Sequence, residues 1–251
     1  MMGITVEMLS IDLSNYCSKE CSFCYNHSTH EGNTIWSADE VIAFANDCIA
    51  NGVKAVSLGG GEPFEYAGIF EIIRVLSQKC YLTVTSNGLP LERPDVWKRM
   101  IVDKPDKIHI TIHRPQEREE VMRVMRQIQK IEEIGIKSGV NLLVGADNVE
   151  YARRAYKIIL KVLSPDRIIL VPQRYMNTPS PQQLAEVAGG CPFQSPSCLL
   201  TCQRPCNFVS VSWDKKVNFC SFAGGKQPLP TLDYEGLMDA LSKVKFESCL
   251  R

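Results

Sequence analysis

The chain has 251 residues, 45% of them hydrophobic, which is enough for one large domain or for a domain with a small appendage. Its 28 Lys and Arg equal its 28 Asp and Glu, so charge does not indicate a nucleic-acid partner or an acidic membrane surface. We find no run of 18 apolar residues and no signal peptide, and we therefore expect a cytoplasmic protein without a membrane span. In such a protein, 11 cysteines indicate metal binding or catalysis rather than a disulfide framework.

The first predicted strand, residues 5–13, leads directly into a loop with three cysteines, Cys17, Cys21 and Cys24. Thiols this close on one loop can hold a single metal centre. Zinc usually takes a fourth protein ligand, whereas an iron–sulfur cube bound by three cysteines keeps one iron open for a small molecule. From spacing alone, both a zinc knuckle and an iron–sulfur site remain open.

Predicted helices and strands then alternate as far as residue 171. The motif Ser37-Ala-Asp-Glu40 is typical of a capping box, and Asn51-Gly52 ends the helix that it begins. Such alternation predicts parallel strands joined by right-handed crossovers, as an open sheet or as a partial barrel. The further predicted strands are residues 54–58, 81–85, 107–112, 139–144 and 167–171. The further predicted helices are residues 69–76, 95–102, a stripe from Val121 to Ile134, and 151–163 with Ala155, Ile158, Ile159 and Val162 facing inward.

The strand at 107–112 has two different faces. Isoleucines alternate with His109, Thr111 and His113, which indicates a polar face and, in a barrel, a ligand cavity. A strand near the edge of a sheet would show the same pattern. His113 and Arg114 follow the strand and are candidates to line a substrate cavity, although a histidine at a strand end is commonly structural.

Loops after parallel strands are where α/β folds build their sites. Gly59-Gly60-Gly61-Glu62 follows the second strand, and its glycines permit close backbone approach while the carboxylate can accept from an ammonium group. Ser86-Asn87 follows the third strand, where a simple Asn-Gly turn is the alternative.

The alternation stops near residue 175, where prolines and serines become frequent. We place a domain boundary there, between a core at 1–175 and a cysteine-rich extension at 176–251. The extension contains a predicted β-hairpin, residues 208–213 and 217–222, and a predicted helix near 234–244.

The cysteine loop, with Phe23 before its third cysteine, and the Gly-Gly-Glu that follows about 35 residues later resemble the radical S-adenosylmethionine (SAM) superfamily. The resemblance implies a curved partial (β/α)6 barrel. It also implies that Cys17, Cys21 and Cys24 hold a catalytic [4Fe–4S] cluster whose open iron takes the amino and carboxylate groups of SAM. The positions implied to contact SAM are Phe23, Gly60, Gly61, Glu62, Ser86, Asn87, Asn141 and Val171.

The extension resembles the auxiliary-cluster regions, of SPASM or twitch type, that follow the barrel in some members. This resemblance implies a second [4Fe–4S] cluster, although a zinc ribbon with the same ligands remains open. Cys249 is not assigned. The implied ligands are Cys198, Cys202, Cys206 and Cys220, with Cys191 as an alternative to Cys198.

The resemblance implies an enzyme that cleaves SAM to a 5′-deoxyadenosyl radical and abstracts hydrogen from a peptide, a protein side chain or a small metabolite. Its electron donor would be a flavodoxin or ferredoxin. One alternative is an activating enzyme for a glycyl-radical enzyme, but extra clusters usually follow the first motif there, and residues 25–58 contain only Cys48. Another alternative is a non-catalytic iron–sulfur carrier or a zinc-binding adaptor.

Overall fold

The structure, a computed structural model, describes residues 5–249 and divides into two compact units. The first unit contains residues 5–85, 89–106 and 204–249, and the second contains residues 86–88 and 107–203. The first unit is therefore assembled from segments on both sides of the second unit in the sequence.

Helices and strands alternate through most of the chain. The strands are β1 (Met8–Asp12), β2 (Ala55–Gly59), β3 (Tyr81–Ser86), β4 (Lys107–Ile112), β5 (Lys137–Val144), β6 (Ile168–Pro172), β7 (Phe208–Val211), β8 (Lys216–Asn218) and β9 (Gln227–Pro228). The helices are α1 (Ala38–Ala50), α2 (Ile69–Leu76), α3 (Pro94–Val102), α4 (Arg118–Glu133), α5 (Val149–Ile159), α6 (Pro181–Ala188) and α7 (Tyr234–Lys243).

In the first unit, β1 is a central strand. It pairs in parallel with β2 on one side and with β7 on the other, and β2 pairs in parallel with β3. The predicted hairpin is confirmed, because β8 pairs antiparallel with β7, and β9 then pairs with β8. The hairpin thus joins the sheet by the pairing of β7 with β1, the strand that precedes the cysteine loop.

In the second unit, β4, β5 and β6 form a parallel ladder. Residues that face each other across a parallel ladder point to the same side. One side is fully buried and contains Ile110, Leu142 and Leu170, while the other side is partly exposed. The two-faced character predicted for β4 therefore extends across this ladder.

Local sequence signals account for the helix starts. Ser37 and Glu40 form the predicted capping box at α1, in which Ser37 Oγ accepts from Glu40 N and Glu40 Oε2 accepts from Ser37 N. Ser180 and Gln183 form a second capping box at α6, with Pro181 at the first helical position.

Three details differ from the sequence-based expectations. Helix α6 lies in a proline-rich region that we had not expected to be helical. Helix α5 ends at Ile159, four residues early, and Val162 is 38% exposed rather than inward-facing. The strands of the hairpin are also shorter than predicted, because the chain turns at Ser212.

Within residues 5–249, none of the helices combines the length and the apolar composition that crossing a bilayer requires.

Candidate functional site

The cysteine loop begins directly after β1 and is fastened at its base. Cys17 N donates to Thr29 O over 2.9 Å, and Thr29 N donates to Asn15 O over 3.1 Å. Further along, Cys24 N donates to Cys21 O over 3.0 Å and forms a tight turn. Cys17 is 9% exposed, whereas Cys21 and Cys24 are partly exposed. These hydrogen bonds hold the segment from residue 15 to residue 29 as one compact loop.

The donor chemistry of this loop fits an iron–sulfur cube. Thiolates are the soft ligands that such clusters use, and three of them leave one iron open. Among the described residues, no three His, Cys, Asp or Glu side chains already converge as a metal site. Cys17, Cys21 and Cys24 are the thiols of this loop that would supply the ligands.

The glycine-rich segment after β2 lies against the cysteine loop. Gly61 N donates to Ser14 O over 2.6 Å, and Glu62 N donates to Tyr16 O over 2.9 Å. A Cβ at Gly61 would lie 1.8 Å from Tyr16 O, and Gly60 has a φ of +109°. Gly61 is thus required by close contact between two backbones, and Gly60 is required by its backbone conformation.

Glu62 is held in place by the start of a short 3-10 helix, Pro63–Glu65. Its side chain is 1% exposed, and its Oε1 accepts from Phe64 N over 3.1 Å. The predicted acceptor for an ammonium group is therefore a buried carboxylate whose orientation is fixed by a backbone hydrogen bond.

A buried pair beside the loop, Asp12 and Tyr25, was not predicted from the sequence. Burial raises the pKa of Asp12 to about 6, against the opposing effects of Lys226 and of a hydrogen bond from Tyr25. Burial of the Tyr25 hydroxyl and the nearby Asp12 carboxylate raise the pKa of Tyr25 well above its usual value. The tyrosine ring also packs on Phe222, with 4.7 Å between ring centroids. The available signal was a carboxylate at the end of a largely apolar strand.

An open cavity of about 430 Å³ lies next to this pair. One wall is formed by Tyr25, Asn26 and His27, which follow the last cysteine of the loop. The other wall comes from the β7–β8 turn and from residues 223–226. The C-terminal segment therefore forms part of the immediate surroundings of the cysteine loop.

In the second unit, helix α4 fixes the Ser86-Asn87 turn. Gly88 N donates to Ser86 Oγ over 2.9 Å, while Arg123 Nη2 donates to Asn87 O over 3.2 Å. Gln127 Nε2 donates to Gly88 O over 2.8 Å. Gly88 has a φ of +80°, which an Asn-Gly turn requires, and side chains of α4 hold Asn87 and Gly88 through their carbonyl oxygens.

Asn141 and Val171 lie on the partly exposed side of the ladder, together with His109 and Thr111. His109 Nδ1 lies 3.0 Å from Asn141 Oδ1, within hydrogen-bonding distance. Burial lowers the pKa of His109 to about 4, which keeps the ring neutral at physiological pH. Sequence reasoning identified this polar face but did not single out His109.

His113 and Arg114 are tied to the start of α4. Glu120 Oε1 accepts from His113 N over 2.8 Å, and Arg114 Nη1 lies 3.0 Å from Glu117 Oε1. The pairing of Arg114 is half-exposed and contributes little to stability. Their role in a substrate cavity remains a prediction.

The C-terminal cysteines belong to both units. Cys198 and Cys202 belong to the second unit, as does Cys191, whereas Cys206 and Cys220 belong to the first unit. Arg174 Nη2 lies 2.7 Å from Cys198 Sγ. The auxiliary ligand set therefore stays a prediction.

Two further cysteines, Cys48 and Cys80, lie outside both predicted ligand sets. Cys48 is fully buried on α1, and burial raises its pKa to about 12. Burial also raises the pKa of Cys80 to about 11. Both thiols are thus strongly disfavoured as thiolates.

Similar proteins of known sequence include two from Saccharolobus islandicus and Saccharolobus solfataricus, each named "Probable GTP 3',8-cyclase". Each is 31% identical to this chain over 113 residues, which are 44% of this chain and 36% of the relative. The chain thus matches only about a third of the length of these curated relatives.

Two solved structures have a similar fold. The Streptococcus suis SuiB structure bound to S-adenosylmethionine has a TM-score of 0.67 and 16% identity, covering 86% of this chain and 60% of that chain. The anSMEcpe structure with bound AdoMet and Cp18Cys peptide has a TM-score of 0.67 and 14% identity, covering 95% of this chain and 82% of that chain. These similarities confirm the predicted α/β fold with a mainly parallel sheet, and they agree with a partial barrel.

Residues 11–159, more than half of the chain, match the sequence model of the Radical SAM superfamily. This range contains the cysteine loop, the Gly-Gly-Glu segment and strands β2 to β5. The chain belongs to the radical SAM superfamily.

Proposed function

We propose that this protein is a radical SAM enzyme that abstracts hydrogen from a peptide or protein side chain. Enzymes of this superfamily use a [4Fe–4S] cluster and SAM. The observation that supports the assignment is the contact between the cysteine loop and the Gly-Gly-Glu segment, which are joined by two backbone hydrogen bonds within one unit.

Cys17, Cys21 and Cys24 would hold the cluster, and Gly60, Gly61 and Glu62 would bind the amino group of SAM. When bound there, a [4Fe–4S] cluster would supply the electron for reductive cleavage of SAM and so the radical chemistry of hydrogen abstraction. The buried Glu62 carboxylate would orient the ammonium group, because its own position is fixed by Phe64 N. Phe23, next to the third cysteine, would pack beside SAM.

The remaining contacts would come from residues of the second unit. Ser86 and Asn87 would bind the ribose and carboxylate of SAM, and Asn141 and Val171 would contact the ribose and adenine. The hydrogen bonds of α4 to the Ser86-Asn87 turn support this role, since a fixed turn costs less to order when ligand binds. His113 and Arg114 remain proposals for the substrate side.

A peptide substrate is favoured by the extent of the structural similarity. SuiB has been solved with its precursor peptide SuiA, and the match covers 87% of this chain. The anSMEcpe structure contains the Cp18Cys peptide, and that match covers 95%. Both matches are longer than the 44% of the chain that aligns with the cyclase relatives.

A nucleotide substrate is the second candidate, because those relatives carry the name GTP 3',8-cyclase. The two candidates differ in a simple assay. Anaerobic enzyme with SAM and a reductant would be incubated with GTP or with cysteine-containing peptides, and 5′-deoxyadenosine would be quantified. Stimulation by GTP alone would replace the peptide proposal.

We also propose an auxiliary [4Fe–4S] cluster held by Cys198, Cys202, Cys206 and Cys220, with Cys191 as an alternative to Cys198. Because four thiolates also suit zinc, the metal content decides this point. A flavodoxin or ferredoxin would be the external electron donor. In this proposal, residues 1–175 form the catalytic core and residues 176–251 form an extension that holds the auxiliary cluster.

The first test is metal content together with electron paramagnetic resonance, measured on anaerobically reconstituted protein with and without SAM. Roughly eight irons per chain, with one signal that SAM perturbs, would support two clusters. About four irons and one zinc would keep the radical chemistry and make the C-terminal site a zinc site. A protein without iron would contradict the proposal.

Single substitutions separate the two metal sites. Changing Cys17, Cys21 or Cys24 to Ala should abolish SAM cleavage and leave the C-terminal metal bound. The matched control is Cys48→Ala, which removes a buried thiol that is not a predicted ligand and should leave the iron content unchanged. Full SAM cleavage by the Cys17→Ala protein would contradict the assignment of the cluster ligands.

A further inference from the structure

A side-chain pair joins the cysteine loop to the segment that follows Glu62. The carboxylate of Glu65 accepts two hydrogen bonds from Ser18, one from its backbone N over 3.0 Å and one from its hydroxyl over 2.5 Å. Ser18 directly follows Cys17, the first predicted cluster ligand. The two partners are 47 positions apart in sequence, so no local turn brings them together.

Glu65 is placed by the same short helix that fixes Glu62. Glu65 N donates to Glu62 O over 3.0 Å, and the 3-10 helix begins with Pro63, whose φ is restricted by its ring. The distance from the Gly-Gly-Glu segment to the Glu65 carboxylate is thus set by a rigid turn. A movement of one end of this turn displaces the other.

The hydrogen bonds between the two segments form a series. Gly61 binds Ser14, Glu62 binds Tyr16, and Glu65 binds Ser18, so alternate residues 14, 16 and 18 of the loop are used. The first two bonds use backbone groups at both ends and cannot be removed by changing a side chain. The third depends on the Glu65 carboxylate and can be tested directly.

We propose that Glu65 is a positioning residue that couples binding of the SAM amino group to the geometry of the cysteine loop. The proposal rests on the proposed function, in which Cys17 is a cluster ligand and residues 60–62 bind SAM. A ligand that fixes residues 60–62 also fixes Glu65, and through it Ser18 and the adjoining Cys17. By linkage, a correctly shaped loop then increases the affinity for SAM by the same factor by which SAM stabilises the loop.

The test uses reconstituted full-length protein and two readouts that do not depend on turnover. The first readout is the SAM concentration that half-converts the cluster signal in electron paramagnetic resonance. The second is the rate at which an iron chelator removes cluster iron, with and without SAM. In the wild-type protein, SAM should slow this removal.

For Glu65→Ala, we expect a roughly tenfold higher SAM requirement and loss of most of the protection by SAM, since charge-assisted hydrogen bonds to a carboxylate are lost. Glu65→Gln keeps one acceptor oxygen and should have an intermediate effect. Ser18→Ala keeps the backbone bond and should also be intermediate. The matched control is Glu71→Ala, an exposed carboxylate on α2 in the same unit, which should match wild type.

The outcomes distinguish this proposal from the one that it rests on. Wild-type protein that binds iron and responds to SAM, together with unaltered Glu65→Ala and Ser18→Ala proteins, would overturn the role of Glu65 alone. Wild-type protein that does not respond to SAM would overturn the proposed function, and the coupling with it. If Glu65→Ala fails to reconstitute, the graded effects of Glu65→Gln and Ser18→Ala decide the matter.

Discussion

At the scale of single residues, the tightest backbone contact around the candidate site is at Gly61. An added Cβ would lie 1.8 Å from Tyr16 O, a backbone atom that cannot rotate away. Gly59 is different, because its Cβ would meet only Asp12 Oδ1, at 3.4 Å. Two glycines of one short segment therefore differ sharply in whether an added Cβ can be accommodated.

We expect Gly61→Ala to lower the free energy of unfolding by about 1–3 kcal/mol, the range typical of overpacking, and to weaken SAM binding. Gly59→Ala is the control and should be much closer to wild type. Urea unfolding measures the first effect and SAM titration the second. Equal stability of the two variants would contradict the close contact described for Gly61.

His109 makes a prediction about pH. Its ordinary pKa is 6.5, and burial lowers the pKa to about 4 in the folded protein. As pH falls below 6.5, the unfolded chain binds a proton that the folded protein does not, so the free energy of unfolding falls until about pH 4. Above pH 6.5, His109 is neutral in both the folded and the unfolded protein and causes no loss in the free energy of unfolding.

Between pH 7.5 and 5, wild-type protein should lose about 2 kcal/mol more stability than His109→Gln, which cannot take up the proton. Urea unfolding of cluster-free protein at both pH values measures the difference. Cluster-free protein is used because acid also attacks iron–sulfur clusters. Identical losses in the two proteins would mean that the folded protein also binds a proton at His109 between pH 7.5 and 5.

At the scale of helices and strands, local signals predicted most elements well. The strand at 107–112 and the helix at 69–76 have the bounds expected from their apolar periodicity. Helix α6 is not predicted from the sequence, because frequent prolines usually indicate an irregular segment. Pro181 stands at the first helical position, where its missing N–H is not needed, and Ser180 caps the helix.

The two capping boxes allow a prediction for individual helices. Ser37→Ala should cost about 1 kcal/mol and should increase hydrogen exchange of amides in the first turns of α1. Ser180→Ala should do the same for α6 and leave α1 unaffected, so that each variant serves as the control for the other. Hydrogen exchange followed by mass spectrometry provides the measurement. Unchanged protection of α1 in Ser37→Ala would show that packing alone holds this helix end.

The candidate site was predictable where its signals are close together in the sequence. The cysteine loop and the Gly-Gly-Glu segment are short motifs at the ends of predicted strands. The Ser18–Glu65 and Asp12–Tyr25 pairs were not predictable, because each depends on how a loop folds back on its neighbours. Local patterns identify which segments are strands but do not identify which strand lies beside which.

At the scale of the whole molecule, that limit matters most for β7. The sequence suggested an extension beginning near residue 176, but β7 pairs in parallel with β1 along four residues. Trp36 Nε1 also donates to Ser212 O over 3.2 Å, and Lys215 Nζ lies 2.8 Å from Glu40 Oε1. The C-terminal segment is therefore an integral part of the first unit.

We expect a chain that ends at residue 203 to lose cooperative unfolding and to aggregate, because removing β7 exposes an edge of β1. Thermal unfolding and size-exclusion chromatography, compared with the full chain, measure this. A chain that lacks only residues after 243, beyond α7, is the control and should remain monodisperse if the full chain is. A cooperative, monodisperse 1–203 fragment would show that the core folds without the extension.

The pairing of Met8 with Phe208 has a consequence for biosynthesis. Roughly 200 residues separate the two strands, so at about 5–20 residues per second the ribosome releases β1 some 10–40 s before β7. During that interval the nascent strand that carries the three cysteines has no neighbour on one side. The cysteine loop therefore has its full set of neighbouring strands only after β7 has been synthesised, so surroundings that include β7 cannot form while the chain is shorter than about 210 residues.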